Sequence, residues 1–272
     1  MGFSKEFFQG VRNDILEDCK RYAYMSPRLV IISVGDDPAS KVYVNNKIKT
    51  CEAVGVDYIV HNLPESIKYS DLRDLIKSLD ENVNNNGIIL QLPLPKHLQM
   101  HQQLLLDCIS WEKDVDGLST ESIGRLWTGK ECHKPATAEG VMRIIDKKYG
   151  YYNTIGMKIA IINRSSLIGR PLIKMLLDAN AQVTVYHSLC QDIQEAFDNN
   201  DLVISATGCD ISRYFNNQCD WIDCGIIREN GKVHGDAGEL KSPRITPVPG
   251  GVGTLTTACL IENTVVSKMK WG

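Results

Sequence analysis

Residues 157–169 read Met157-Lys158-Ile159-Ala160-Ile161-Ile162-Asn163-Arg164-Ser165-Ser166-Leu167-Ile168-Gly169. The apolar run is the pattern of a strand covered on both faces. A polar turn follows, and Gly169 opens a helix expected to reach Ala179, with Pro171 in its first turn, where a missing N–H is harmless. Strand, tight turn and helix N-terminus together leave backbone N–H groups and the positive helix end facing one spot, an anion site. The glycine-rich spacing of a dinucleotide turn is absent, so the local text reads equally as an ordinary strand–helix connection. Asn163 stands where a first glycine is expected. Asparagine tolerates positive φ better than most residues, so the turn survives; if Asn163 sits there, Asn163→Gly should be neutral or slightly stabilising and should tighten the cofactor.

The neighbouring text sharpens this reading. The next strand, Gln182 to Tyr186, runs into His187-Ser188, where an NAD site would place Asp or Glu. Arg164 and Ser165 lie in the turn that faces the adenosine ribose. A guanidinium and hydroxyls suit a 2′-phosphate, which a carboxylate would repel, so the expected cofactor is NADP. Leu202 to Ser205 and Trp221 to Asp223 continue the series as strands.

A similar series precedes it. Arg28 to Val34 is an apolar strand stopped at Gly35-Asp36-Asp37-Pro38, and Ser40 is expected to cap a helix running to Val54 and closed by Gly55. Val44, Ile48 and Cys51 form the buried stripe of that helix. Val56 to His61 is a second strand, Ser70 to Asn82 a helix with Leu72, Leu75, Ile76 and Leu79 on one face, and Gly87 to Leu92 a third strand. From Ser119 to Thr137 the text turns polar, and Thr246 to Gly253 is stiff and turn-rich before a helix from Thr256 to Met269 that is expected to return to the first domain. The fold expectation is α/β, with two three-layer domains and a cleft between them. Residues 1–135 with 254–272 form one domain, and residues 136–253 form a second, Rossmann-type NADP-binding domain.

Composition narrows the class. The 272 residues suit two domains of about 130 each. With 43% hydrophobic and 23% charged residues the chain is ordinary globular material rather than disordered. A net charge of −3 supplies no basic field for nucleic acid, and no run suits a membrane span. Residues 1–20 read as an amphipathic helix with charges of both signs, not a secretion signal. The nine cysteines include no Cys-x-x-Cys pair, the pattern of free thiols in a reducing cytoplasm. His97 and His101 are one turn apart, but no acid or thiol nearby completes a metal site, so no metal is expected.

Candidate chemistry gathers in the first half. Tyr43 and Lys47 are i, i+4, on one helix face beside the Val44/Ile48 stripe, which is either a chance spacing or the edge of a ligand site. A Tyr-x-x-x-Lys pair also marks short-chain dehydrogenases, but there the glycine-rich turn precedes the pair and here it follows. Gln91 is an amide at the carboxyl end of an apolar strand, where α/β sheets place ligands. Asp114-Val115-Asp116-Gly117 reads as a turn with solvated acids or a calcium-loop fragment, too short for an EF-hand.

Taken together, residues 34–47 (VGDDPASKVYVNNK), 87–97 (GIILQLPLPKH), 113–118 (KDVDGL), 163–172 (NRSSLIGRPL) and 245–253 (ITPVPGGVG) make the chain resemble the bifunctional methylenetetrahydrofolate dehydrogenase/cyclohydrolase family over nearly its whole length. The resemblance implies oxidation of 5,10-methylenetetrahydrofolate by NADP, then hydrolysis of the methenyl product to 10-formyltetrahydrofolate. It implies that Tyr43 stacks on the folate's aminobenzoate ring, Lys47 is the catalytic lysine with Gln91 beside it, and Asp116 holds the pterin. Pro247, Gly250 and Gly251 would line the substrate side. Asn163, Arg164, Ser165, Gly169, Ser188, Thr207, Gly208 and Ile226 would form the cofactor site. A homodimer is implied as well. Three places depart from the family: Asn163 replaces a glycine, Pro135-Ala136-Thr137-Ala138 replaces Pro-Cys-Thr-Pro, and Gly253-Thr254-Leu255-Thr256 replaces Gly-Pro-Met-Thr. Two other readings stay open: a dehydrogenase without useful cyclohydrolase activity, and a folate- or nucleotide-binding regulatory protein without turnover.

Overall fold

The computed structural model describes residues 2–229 and 232–272, so Met1 of the expected N-terminal helix lies outside the described residues. In chain order the elements are α1 (Lys5–Arg21), β1 (Arg28–Val34), α2 (Pro38–Val54), β2 (Asp57–Leu63), α3 (Tyr69–Glu81), β3 (Gly87–Leu90), α4 (Lys96–Gln99), α5 (Gln102–Leu106), α6 (Thr120–Trp127) and α7 (Ala136–Tyr149). They continue with β4 (Lys158–Ile162), α8 (Gly169–Asp178), β5 (Gln182–Tyr186), α9 (Gln194–Asp198), β6 (Leu202–Ser205), β7 (Asp220–Asp223), β8 (Ile227–Glu229), β9 (Lys232–His234) and α10 (Val252–Trp271). The chain divides into two compact units, residues 14–136 with 257–272 and residues 1–13 with 137–256.

In the first of these units the parallel sheet runs β2-β1-β3. β1 is central, and Leu29, Val30, Ile31 and Ile32 are wholly buried. Alternate side chains serve opposite faces of a strand, so both faces are covered. Val30, Ile32 and Val34 share one core with Leu72 and Ile76 of α3, while α2 packs on β1 and β2. The segment after α5 joins the free side of β3: the Ile88 N–H donates to the Lys113 carbonyl at 2.8 Å, and Asp114 pairs with Ile88. The last helix belongs here because Asn263 Nδ2 donates to the Val115 carbonyl at 2.9 Å and Ser267 Oγ to that of Glu112 at 2.8 Å.

The other unit holds the parallel sheet β5-β4-β6-β7. From β4 the chain crosses outward to β5, then back past β4 to β6. Right-handed crossovers in opposite directions put α8 and α9 on opposite faces, which makes three layers and a switch point at β4. Trp221 of β7 is fully buried among Phe197, Val203 and Ile245, and its indole N–H donates to Ser205 Oγ at 2.9 Å.

The structure departs from the sequence expectations at several points. Residues 1–13, expected in the folate-side domain, group with residues 137–256, because the Phe3 N–H donates to the Pro243 carbonyl at 2.8 Å and the Phe3 ring receives the Lys148 ammonium at 3.7 Å. The cap of α2 is Asp37, not Ser40: Asp37 Oδ2 accepts the Ser40 N–H at 2.8 Å, and Pro38 occupies the first turn. The polar stretch after Ser119 contains α6, with Ser119 accepting the Ser122 N–H, and then the start of α7. Among the described residues, no helix is long and apolar enough to cross a membrane.

A buried ion cluster ties α7 to β7. Asp220 accepts the Tyr149 hydroxyl at 2.5 Å, with the Lys148 ammonium at 2.9 Å and the Arg244 guanidinium at 3.6 Å. Removing Asp220 strands the buried Lys148 ammonium, whereas exposed pairs contribute little. Asp220→Ala should therefore lower stability by about 3 kcal/mol. Lys20→Ala, which breaks the exposed pair with Glu17, should cost less than about 1 kcal/mol. Urea unfolding of both variants checks the contrast, and equal losses would contradict it.

Candidate active site

Lys47 lies on α2 one turn after Tyr43, and both are half-buried beside the buried Val44 and Cys51. Gly55 ends the helix in the left-handed conformation, φ 76°, which glycine adopts without strain. Gln91 follows the last residue of β3, and its N–H donates to the Ile32 carbonyl of β1 at 2.8 Å. Its side-chain Nε2 donates to the Leu92 carbonyl at 2.7 Å, which turns Oε1 toward α2 to accept from Lys47 Nζ at 2.6 Å. The polar amide at the strand end thus has its partner, a lysine distant in sequence.

Asp114 and Asp116 lie in the turn that adjoins β3, but they do different work. Asp114 is buried and accepts the N–H groups of Leu118 and Ser119, at 3.2 and 2.7 Å. The expected solvated turn acid is thereby corrected, since Asp114 clasps its own turn. Asp116 retains some open surface, yet protein crowds its carboxyl group. Burial raises its pKa above the usual carboxylate range; the Lys47 charge opposes this and Asp114 adds to it. Burial likewise pulls the Lys47 pKa below the ordinary lysine range, with Asp116 opposing. Each charge is held out of water, so their attraction only partly offsets desolvation. Burial thus favours the neutral form of both side chains.

The turn after β4 is built around Asn163. Its Oδ1 accepts the Ser165 N–H at 2.8 Å, the Ser165 hydroxyl at 2.8 Å and the Gly169 N–H at 3.0 Å. Its Nδ2 donates to the Ala206 carbonyl at the end of β6, at 2.6 Å. Asn163 does not meet the condition of positive φ: among the described residues, the non-glycine positions with positive φ are Ser26, Asn180 and Asn217. Gly169 must be glycine for a different reason, because a Cβ there would stand 2.5 Å from the Asn163 carbonyl oxygen. Ser165 is committed to Asn163, and its hydroxyl also accepts the Ile168 N–H at 3.2 Å. Arg164 and Ser188 are exposed, and the pairing of Ile162 with Tyr186 sets the two turns that carry them side by side.

Two buried acids that the sequence did not single out organise the next loops. Asp236 accepts the Thr207 N–H at 2.7 Å and the Gly208 N–H at 2.9 Å. Asp223 accepts from Gly225 at 2.8 Å, Asp236 at 3.0 Å and Ala237 at 2.8 Å. Burial pushes the Asp223 pKa up to about 6 against these backbone bonds, and the Asp236 charge adds to the rise. The available signal was an acid beside a glycine in each loop, Asp223-Cys224-Gly225 and Gly235-Asp236. Ile226 is exposed. Pro247, Gly250 and Gly251 precede α10 in the unit of residues 137–256, whereas Tyr43, Lys47, Gln91 and Asp116 lie in the other unit. Turned outward at this switch point are a guanidinium and hydroxyls, with the two loop acids facing backbone N–H groups. That donor set fits a phosphorylated dinucleotide.

His97 Nε2–H donates to the Ile67 carbonyl at 3.0 Å, and His101 stacks on Tyr69 with ring centres 4.7 Å apart.

Known proteins match the chain in two successive parts. Residues 3–116 match the catalytic domain of tetrahydrofolate dehydrogenase/cyclohydrolase, and residues 135–271 match its NAD(P)-binding domain. The bifunctional protein FolD of Campylobacter hominis is 42% identical over 252 residues, covering 89% of this chain and 86% of that protein. The FolD of Moorella thermoacetica is 36% identical, covering 96% and 95%. Among solved structures, the FolD methylenetetrahydrofolate dehydrogenase/cyclohydrolase of Campylobacter jejuni superposes with a TM-score of 0.88 at 36% identity, covering 96% of each chain. The Trypanosoma brucei FolD, complexed with NADP cofactor and inhibitor, gives 0.86 at 27% identity, covering 99% and 97%. With both halves matched in order by one family's two domains and relatives aligned over most of its length, this chain belongs to the tetrahydrofolate dehydrogenase/cyclohydrolase family.

Proposed function

We propose that this enzyme oxidises 5,10-methylenetetrahydrofolate with NADP and hydrolyses the methenyl product to 10-formyltetrahydrofolate. The observation that carries the reading is the enclosed Lys47 amine, hydrogen-bonded to Gln91 at 2.6 Å and opposed by Asp116. Tyr43 gives the folate's aminobenzoate ring a flat surface on the same helix face. Asp116 accepts from the pterin's N–H groups. NADP, when bound, accepts the hydride. Arg164 and Ser188 hold its 2′-phosphate, and Asn163, Ser165, Gly169, Thr207, Gly208 and Ile226 shape the rest of its site.

In the second step water adds to the cationic methenyl carbon, and one proton leaves by way of the neutral Lys47 amine. The hydroxyl proton of the adduct then moves to N5 as the bond between N5 and that carbon breaks, which leaves the formyl group on N10. A base works best with a pKa near the working pH, and desolvation is what brings lysine toward it. The free thiols of all nine cysteines suit a cytoplasmic enzyme. The chain is read as a homodimer, and light scattering at micromolar concentration should give twice the 30.4 kDa chain mass.

Lys47→Met keeps the stem and removes the amine. It should lower hydrolysis of methenyltetrahydrofolate about 10² to 10⁴-fold while folate binding and some dehydrogenase activity remain. The hydrolysis rate of the parent, corrected for the uncatalysed reaction, should rise with pH as the Lys47 amine loses its proton and fall on acidification. The Met variant should lack that limb, and equal rates in the two proteins would exclude Lys47 as the base. Separately, kcat/KM should favour NADP over NAD by at least about tenfold, a difference of about 1.4 kcal/mol. Arg164→Ala should erase most of that preference, and equal use of both cofactors by the parent would defeat the assignment.

A further inference from the structure

Asn163 replaces the glycine expected at the head of the nucleotide turn, and it does more than fill the position. Its Oδ1 gathers the Ser165 N–H, the Ser165 hydroxyl and the Gly169 N–H, so one oxygen draws the start of α8 onto the turn. Its Nδ2 reaches across to the Ala206 carbonyl, the residue after β6. The next two residues, Thr207 and Gly208, give their N–H groups to Asp236, which is wholly buried. Asp236 is held in turn by Asp223, which accepts the Asp236 N–H and also binds Gly225 after β7. One hydrogen-bonded chain therefore links the loops at the carboxyl ends of β4, β6 and β7, the edge where doubly wound sheets receive dinucleotides.

We infer that Asn163 and Asp236 are positioning residues that act as a two-ended brace, holding the β4 turn and the β6 loop in the arrangement that receives NADP. The inference rests on the reading of this unit as the NADP site. The β6 loop is gripped at adjacent residues, through the Ala206 carbonyl by Asn163 and through the Thr207 and Gly208 N–H groups by Asp236. Cutting either grip loosens the same three residues, 206–208, so the second cut adds little to the first. Groups in one hydrogen-bond network couple in this way, whereas independent sites add. A glycine at 163 lacks both the acceptor and the donor, so this chain's loop would lose its link to the phosphate turn.

The test is a double-mutant cycle in the full-length protein, with NADP affinity read by calorimetry and tetrahydrofolate affinity measured alongside. Asn163→Gly and Asp236→Asn should each weaken NADP by about tenfold, which is about 1.4 kcal/mol. The double variant should lose about ten- to thirtyfold rather than a hundredfold, and tetrahydrofolate affinity should stay unchanged in all three. Amide exchange at Thr207 and Gly208 should quicken in Asn163→Gly. If Asp236→Asn fails to fold, the affinity of Asn163→Gly and these exchange rates decide the matter. Unchanged or tighter NADP binding in Asn163→Gly, unaltered exchange, additive losses or a parallel loss of tetrahydrofolate affinity would each overturn the brace. A parent that binds no NADP would bring down the functional reading itself, and the brace with it.

Discussion

A parallel strand buried on both faces has no place for a polar side chain except at its end. That constraint shapes both units. β1 and β4 each begin their sheet, each takes later strands on both sides, and each is covered above and below. Backbone groups are satisfied within the ladders, so the unspent hydrogen-bonding capacity collects in the loops at the carboxyl edge. Gln91 leaves β3 at that edge, Asn163 leaves β4 and Thr207 leaves β6. The residues that carry chemistry stand where the sheets stop, because there a polar group can be partly enclosed and still reach a ligand.

Enclosure is also what suits Lys47 to the role proposed for it. In water its amine would stay charged at neutral pH and could not take a proton. Burial penalises the charged form, and the nearby Asp116 limits how far that shift goes. The Gln91 oxygen accepts from Lys47 in either protonation state, so the amine keeps its position while it titrates. Desolvation sets the tendency to release a proton, and the amide sets the direction. The same penalty applies to Asp223, where backbone N–H groups take up the work that solvent would do.

The two buried acids of the nucleotide unit show how loops without regular structure gain a defined shape. Asp236 and Asp223 spend their oxygens on backbone N–H groups from residues 207–208, 225 and 236–237. Charge-assisted bonds of this kind are short and directional, and inside a protein they are expensive to break. Arg164 and Ser188 are exposed after β4 and β5, and His187-Ser188 stand where an NAD-type site would place an acid.

The strands Arg28–Val34, Gln182–Tyr186 and Leu202–Ser205 could be read residue by residue, because continuous β-branched runs bounded by turn residues have few other uses. The four-residue spacing of Tyr43 and Lys47 and the lone Gln91 were equally plain in the text. α6 and the start of α7 were not, since polar residues masked their helical period and α6 carries a glycine inside it. Ser40 was the expected cap of α2, and only the placed chain showed that Asp37 receives the N–H. Sequence alone therefore determined the strands of the two parallel sheets and which side chains are polar at their ends, because periodicity and turn chemistry are local. Tertiary structure decided what those side chains bind: Lys47 to Gln91, Asn163 to Ala206, and Asp236 to Thr207 and Gly208. A hydrogen bond depends on distance and direction between groups far apart in the chain, and only the packed sheets bring those groups together.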